Sequence, residues 1–321
     1  MKLPPVPSVA QLLRLYGVRA LKDLSQNFLL DPSITDKFVR HAGKLKDKVV
    51  IEVGGGPGSL TRSILKAQPR KLYVIEKDTR MLPMLDLVAE ASGGVAEIIP
   101  GDALHIDYEQ LITQANVATQ PTAAEGADSS AAAPAETDLH IIGNLPFGIA
   151  TPLILSYLRQ LSRRDSAFAR SRPTLTLCFQ REVGERICAP PRTKPRSRIS
   201  VISQLYADVR PAFVIPSTAF VPAPKVEAMV VSFRPREQLP EGLEQLTFDQ
   251  MERVLRIGYG SRLKRLRHVF SKHVGGLQAA DDMLASAGFP AETRAFFLST
   301  RQWIDLATAF YQHQSADGGG G

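Results

Sequence analysis

Only two cysteines, Cys178 and Cys188, occur in 321 residues, which excludes a disulfide framework. Neither has the spacing of a metal site and no histidine pair does, so no metal is expected. No apolar run is long enough to span a bilayer, which argues against a membrane partner. Acid is missing from two stretches. Arg192, Lys194, Arg196 and Arg198 share a Pro-rich loop with no carboxylate among them. From Arg253 to Lys272 the bases Arg256, Arg262, Lys264, Arg265 and Arg267 recur, again without an acid. A solvated helix face normally mixes signs four residues apart. These runs, and a formal net charge of +7, point instead to a polyanion held through its phosphates.

What is present begins with strands that end in chemistry. The β-branched run Lys48–Val53 leads into Gly54-Gly55-Gly56-Pro57-Gly58-Ser59 and then a helix, the opening unit of a nucleotide-binding α/β sheet. A dinucleotide fingerprint needs Gly-x-Gly-x-x-Gly, and the third position here is Ser59. Pro57 removes an N–H that a pyrophosphate would use, and Glu52 would repel phosphate. A ligand with a cationic part and no phosphate fits better, and S-adenosylmethionine is one. The second strand, Lys71–Ile75, ends in Glu76, placed to accept ribose hydroxyls. The third, Ala96–Ile99, is followed by Asp102, able to take an adenine amino group. A lone carboxylate at a strand end is usually just solvated. Four successive strands with a fitting group at the C-terminal end are harder to dismiss.

The fourth strand, Leu139–Gly143, closes in Asn144-Leu145-Pro146-Phe147. The Asn144 amide oxygen and the Leu145 carbonyl are two acceptors, and Phe147 is a flat surface. Together they suit a planar base with an exocyclic amine, both hydrogens accepted and the ring stacked. An ordinary strand-to-loop turn would explain Pro146 alone.

With these motifs the chain resembles the rRNA adenine N6-dimethyltransferase family, whose pattern is also matched by Ser25-Gln26-Asn27-Phe28-Leu29, Val74-Ile75-Glu76-Lys77-Asp78, Gly101-Asp102-Ala103-Leu104, Phe179–Arg186 and Phe220–Val226. The resemblance runs closely from Leu3 to Arg236, more loosely to the basic stretch near Arg262, and is strongest to the mitochondrial branch of the family. It implies a class I, Rossmann-like S-adenosylmethionine-dependent methyltransferase sheet with a small C-terminal helical domain. Its implied cofactor-binding residues are Gln26, Asn27, Leu29, Glu52, Gly54, Gly56, Glu76, Lys77, Asp102, Ala103 and Asn144. Its implied catalytic group is Asn144, Leu145, Pro146, Phe147 and Phe220, with Phe220 equally readable as a core aromatic. Arg192, Lys194, Arg196, Arg198, Arg262, Lys264 and Arg265 would meet RNA. The implied reaction is N6,N6-dimethylation of two adjacent adenines in the 3′-terminal hairpin loop of small-subunit rRNA, free or in an assembling subunit. A monomer in the mitochondrial matrix is implied, or in the cytoplasm for a bacterial source. Gly55 departs from the family, where Pro or Ala is commoner, and would loosen the turn.

Three other readings compete: a DNA adenine methyltransferase, an enzyme acting on a large-subunit adenine, and a non-catalytic nucleic-acid-binding factor in mitochondrial transcription or ribosome assembly. The intact Glu76, Asp102 and Asn144 argue against the last. The expected organisation is a methyltransferase domain at 1–236 with a disordered Ala/Thr/Ser/Pro insertion at 114–137, a helical RNA-binding domain at 237–314 and a flexible tail at 315–321. Asp31 is the expected cap of a helix to about Ala42. The last strands are expected at Leu175–Phe179, Gln204–Val209 and Val226–Phe233. Gln11–Lys22 is basic and amphipathic, as a mitochondrial presequence would be, or as mature protein facing RNA.

Overall fold

The computed structural model describes residues 6–21, 23–24, 26–117, 139–163 and 166–317. Its strands are β1 (Phe28–Leu29), β2 (Val49–Val53), β3 (Lys71–Glu76), β4 (Ala96–Pro100), β5 (Leu139–Gly143), β6 (Thr174–Gln180), β7 (Ala207–Ile215), β8 (Phe220–Val221) and β9 (Ala228–Pro235). Seven of them form one sheet in the order β4-β3-β2-β5-β6-β9-β7. The run from β4 to β6 is parallel, and β9 is antiparallel to β6. β2 and β5 are buried along their whole length, as continuous apolar runs in a sheet covered on both faces must be. Strand order reverses between β2 and β5, so their C-terminal ends open a crevice where open α/β sheets bind ligands.

The chain divides into two compact units, Met1–Gly184 with Arg210–Pro235, and Glu185–Val209 with Arg236–Gly321. Sequence reasoning put a single cut at 236. The segment 185–209 instead goes with the helical unit. The reason is local: Val201, Ile202, Leu205 and Tyr206 are buried at helical spacing on Arg198–Tyr206, a helix opened by a Ser197–Ser200 capping box. Residues 204–206 are therefore helix, not the start of a strand, and β7 begins at Ala207.

Asp31 caps the helix Pro32–Ala42 by accepting from the Ser33 N–H, with Pro32 in its first turn. The first helix is short, Val9–Leu15, opened by a Ser8–Gln11 capping box. Residues 114–117, expected in a disordered insertion, complete the helix Tyr108–Val117. The rest of that insertion lies outside the described residues, as does 318–321 of the expected tail. Residues 315–317 extend the helix Thr300–Asp317. Cys178 is a buried core residue of β6, and no described helix is long and apolar enough to cross a membrane.

The helical unit packs around Trp303, fully buried and stacked on Tyr259 at 5.2 Å, with Phe270 edge-on to Phe310 at 5.6 Å.

Candidate active site and a basic concavity

The turn after β2 sets the floor of the site. Gly54, Gly56 and Gly58 have φ of 75°, 51° and 86°, left-handed values that a side chain would strain. Backbone N–H groups of Gly54 and Gly55 donate to the Ile75 carbonyl at 2.9 and 3.3 Å, tying the turn to β3. Gly55, where the family more often has Pro or Ala, sits tightly against the core in this turn. A Cβ there would lie 2.4 Å from Val74 Cγ1 and 3.2 Å from Leu85, so the missing side chain is what admits those two core residues.

Glu76, at the end of β3, joins two turns. Its Oε2 accepts from the Gly56 N–H and its Oε1 from the Asp78 N–H, each at 2.7 Å. Burial raises its pKa against the pull of these hydrogen bonds. Asp78 in turn holds the N-terminal segment: Gln26 Nε2 donates to Asp78 Oδ2 at 2.8 Å, and Arg80 Nε to Oδ1 at 2.9 Å. The Arg80 hydrogen bond keeps the Asp78 carboxyl below its ordinary pKa.

Asn144, after β5, donates from Nδ2 to the Asn27 carbonyl at 3.3 Å, and among the described residues its Oδ1 accepts no hydrogen bond. Pro146 caps the helix Phe147–Ser162 and starts it at Phe147. Strands β1 and β8 pair antiparallel, Phe28 with Val221 and Leu29 with Phe220. That ribbon brings the N-terminal segment and residue 220 to the same cavity.

Ten residues singled out by sequence meet there. Gln26, Asn27 and Leu29 come from the N-terminal segment, Gly54 and Glu76 from the turns, and Asn144, Leu145, Pro146, Phe147 and Phe220 from the far side. Phe220 satisfies both of its readings, being 2 % exposed in the core and yet lining the cavity. Sequence reasoning missed Phe28, Pro57, Ser59 and Leu60 as walls. Phe28 reaches the wall because its ring lies against the glycine turn and its strand pairs with one remote in sequence.

Five expected residues do not line the cavity, among them Gly56, which instead donates its N–H to Glu76 Oε2 at 2.7 Å within the turn. Glu52 is fully buried under the turn and neither carboxylate oxygen has a hydrogen-bond partner. Burial pushes its pKa up to about 8, a shift that Thr61 beside it only partly offsets. It lies beneath the turn and is not among the residues that line the cavity. Lys77 and Asp102 pair with each other at 2.8 Å, and Asp102 Oδ1 accepts from the Leu104 N–H at 3.0 Å. The Lys77 hydrogen bond lowers the Asp102 pKa. The Ala103 carbonyl accepts from Tyr108 at 3.1 Å, and Tyr108 bonds Tyr157 at 2.7 Å. These two tyrosines fix the loop after β4 from behind.

In the helical unit the basic residues sort into three kinds. Arg196 is fully buried, donating to the Ala189 carbonyl at 2.8 Å, Gln204 Oε1 at 2.9 Å and Thr300 Oγ1 at 3.2 Å. It braces that unit and cannot meet RNA, which corrects the expectation. Arg198, Arg262 and Arg265 are engaged, with Glu252 at 3.7 Å, the Lys194 carbonyl, and Glu292 at 3.3 Å. Arg192 and Lys194 are exposed. The third kind lines a concavity of about 590 Å³ formed by Arg253, Arg256, Lys264, His268, Lys272 and His273. No acid lines it, and among the described residues Arg256, Lys264 and Lys272 make no ion pair. Arg253, Arg256, Lys264 and Lys272 belong to the acid-free run read from sequence as holding a polyanion, and Lys264 was among the residues assigned to RNA by resemblance. The acid-free run from Arg253 to Lys272 held the signal, and the two helices Phe248–Tyr259 and Leu266–Phe270 fold it into one bowl.

Residues 17–308 match the family model described as ribosomal RNA adenine dimethylase. A protein named dimethyladenosine transferase 1, mitochondrial, from Vermamoeba vermiformis is 38% identical over 344 residues, covering 98% of this chain and 97% of that one. The protein of the same name from Xenopus laevis is 42% identical over 313 residues, covering 96% and 86%. The crystal structure of a dimethyladenosine transferase from Plasmodium falciparum superposes with a TM-score of 0.67 at 22% identity, over 88% of this chain and 97% of that one, and so shares the fold.

Proposed function

The chain belongs to the ribosomal RNA adenine dimethylase family, and from that premise we propose that its pocket carries out S-adenosylmethionine-dependent N6,N6-dimethylation of two adjacent adenines in the 3′-terminal hairpin loop of small-subunit rRNA. The observation that carries the reading is the meeting of Asn144, Leu145, Pro146 and Phe147 with Glu76 and the glycine turn around one cavity.

The residues fit the cofactor. Glu76 spends one hydrogen bond per oxygen on backbone N–H groups, which leaves acceptor capacity for a ribose diol. The left-handed glycines let backbone approach the ligand closely. Acidic Glu76 and the Pro57 that lacks an N–H suit a cationic, phosphate-free molecule. Bound there, S-adenosylmethionine supplies a methyl group already activated by its sulfonium.

The chain's own task is to hold and orient the acceptor. Asn144 Oδ1, freed by the tether of Nδ2 to Asn27, and the Leu145 carbonyl accept the two N6 hydrogens. Those bonds draw the nitrogen lone pair out of conjugation and stabilise positive charge growing on N6. Phe147 stacks on the extruded base, and a loop base costs little to unstack. No general base is needed in advance, because the alkylated amine is a strong acid and loses its proton afterwards. The basic bowl would take RNA phosphates, in place of the Arg196 contact expected from sequence. Relatives named mitochondrial support a matrix location and a mitochondrial substrate. We assign the active form to the monomer.

The test is mass spectrometry of small-subunit rRNA after incubation with labelled cofactor. Two neighbouring dimethyladenosines in the terminal hairpin are expected. Label confined to a large-subunit adenine or to duplex DNA would overturn the substrate, and no label at all would favour a binding role alone.

A further inference from the structure

A second groove, of about 740 Å³, shares a wall with the pocket. Phe28 lines both. The two-residue ribbon explains how. Directly opposed residues of a β-pair share a face, and neighbours along a strand take opposite faces. Leu29 and Phe220 therefore face the pocket, while Phe28 and Val221 face the groove, joined there by Leu30 and Pro222. The Phe28 ring also reaches the glycine turn, lying 3.8 Å from where a Gly56 Cβ would be. One side chain thus separates the two chambers.

The groove's chemistry is apolar with two cations. Its remaining wall comes from the N-terminal segment, through Leu13 and Val18, with Arg14 and Arg19 as its charged members. No acid lines it, and among the described residues neither guanidinium has a carboxylate partner. The segment is pinned in place, since Arg80 donates to the Arg19 carbonyl at 3.2 Å. Val221 at the rim is 52 % exposed, unusual for a residue in a ribbon that otherwise buries its side chains. A flat apolar wall beside unpaired arginines is the arrangement that holds single-stranded nucleic acid, with the base against the wall and the phosphate on the cation.

We propose that this groove seats the nucleotide next to the adenine being methylated, its base against Val221 and Phe28 and its phosphate on Arg14 or Arg19. The proposal rests on the two-adenine reading above. It gives that reading a physical form, in which one adenine occupies the pocket while its neighbour is parked across the Phe28 partition.

The test is a binding cycle on the full chain. One RNA is the hairpin with two neighbouring loop adenines. The other has an abasic site in place of one of them. For the wild type the abasic RNA should bind about tenfold more weakly, the loss expected for one stacked base. Val221→Asp should weaken the intact hairpin by a similar factor and show no further loss with the abasic RNA. Arg14→Glu with Arg19→Glu should weaken both RNAs and flatten the salt dependence. Cofactor affinity by calorimetry should stay unchanged in both variants, which also reports that they fold. If Val221→Asp keeps the full abasic penalty, the groove does not hold the neighbouring base. A flat RNA cycle together with Val221-dependent binding to anionic phospholipid vesicles would assign the groove to a lipid surface and overturn the proposal. Should Val221→Asp lose cofactor binding, the arginine pair decides, and an unchanged salt dependence there counts against it. Because the cycle reads binding only, a wild type that binds as expected but methylates neither adenine would sink the functional reading and not this one.

Discussion

The pocket of the sheet unit and the bowl of the helical unit manage charge in opposite ways. In and beneath the pocket the polar side chains are tied down. Glu76 is held by two backbone N–H groups, Asp78 by Gln26 and Arg80, and the Asn144 amide by Asn27. In the bowl Arg256, Lys264 and Lys272 make no ion pair among the described residues. Aligning a methyl acceptor needs a prearranged geometry, which buried hydrogen bonds supply. Holding a polyanion needs uncommitted charge, whose gain comes from released counterions and not from a fixed geometry. The contrast predicts that changes in the pocket alter rate or cofactor affinity, and changes in the bowl alter RNA affinity and its salt dependence.

The sharpest way to break that division is Asn144→Ala. Losing one acceptor of the N6 hydrogens should cut methylation by about 10²- to 10³-fold. RNA affinity should stay within about twofold, since the free energy of binding lies mostly in phosphate contacts. A large loss of RNA binding in this variant would show that the pocket, and not the bowl, carries affinity. Glu76→Gln comes next. A hydrogen bond to a charged group contributes about 1.5–3 kcal/mol, so cofactor affinity by calorimetry should fall about 10- to 100-fold. Unchanged affinity would remove the ribose assignment.

How far the sequence led differs between the same two regions. The strand ends of the sheet unit were legible because each strand is a short apolar run and its last residue carries the polar group. Phe28 was not, because its place depends on pairing with Val221, nearly two hundred residues away. Glu52 was misjudged for a related reason: strand alternation told that it lay near the turn, but not that it faced inward beneath it. In the helical unit charge density alone could not separate Arg196, folded into the interior by three hydrogen bonds, from Arg256, which lies on the helix Phe248–Tyr259. Burial decides the role of an arginine, and burial is a tertiary property.

Glu52 offers a pH test of the pocket side. Its folded pKa of about 8 lies above its unfolded value, so the folded state keeps a proton that the unfolded chain gives up. Stability should therefore be greatest below about pH 4.5 as far as this group is concerned, and should fall as pH rises toward 8. Between pH 6 and pH 8 the loss is on the order of 2 kcal/mol. Glu52→Gln should flatten the decline in Tm across that window and leave Tm at pH 8 no lower than the parent's. A decline of equal slope in the variant would mean that another group causes it.

The smallest effect belongs to the bowl and is the one that separates the two kinds of arginine. Arg256→Gln removes an exposed cation that makes no ion pair among the described residues. RNA should bind a few-fold more weakly at low salt, and the slope of log K against log salt should shrink by about 1. Tm and cofactor affinity should not move, because no packing or hydrogen bond is lost. Arg196→Met should behave as the mirror image. It removes the guanidinium donor of Gln204 Oε1 and Thr300 Oγ1 and one of the two donors to the Ala189 carbonyl, so Tm should fall while the salt slope stays that of the parent. If both variants lower the slope equally, the buried arginine reaches the polyanion after all, and the separation of bracing charge from binding charge in this unit fails.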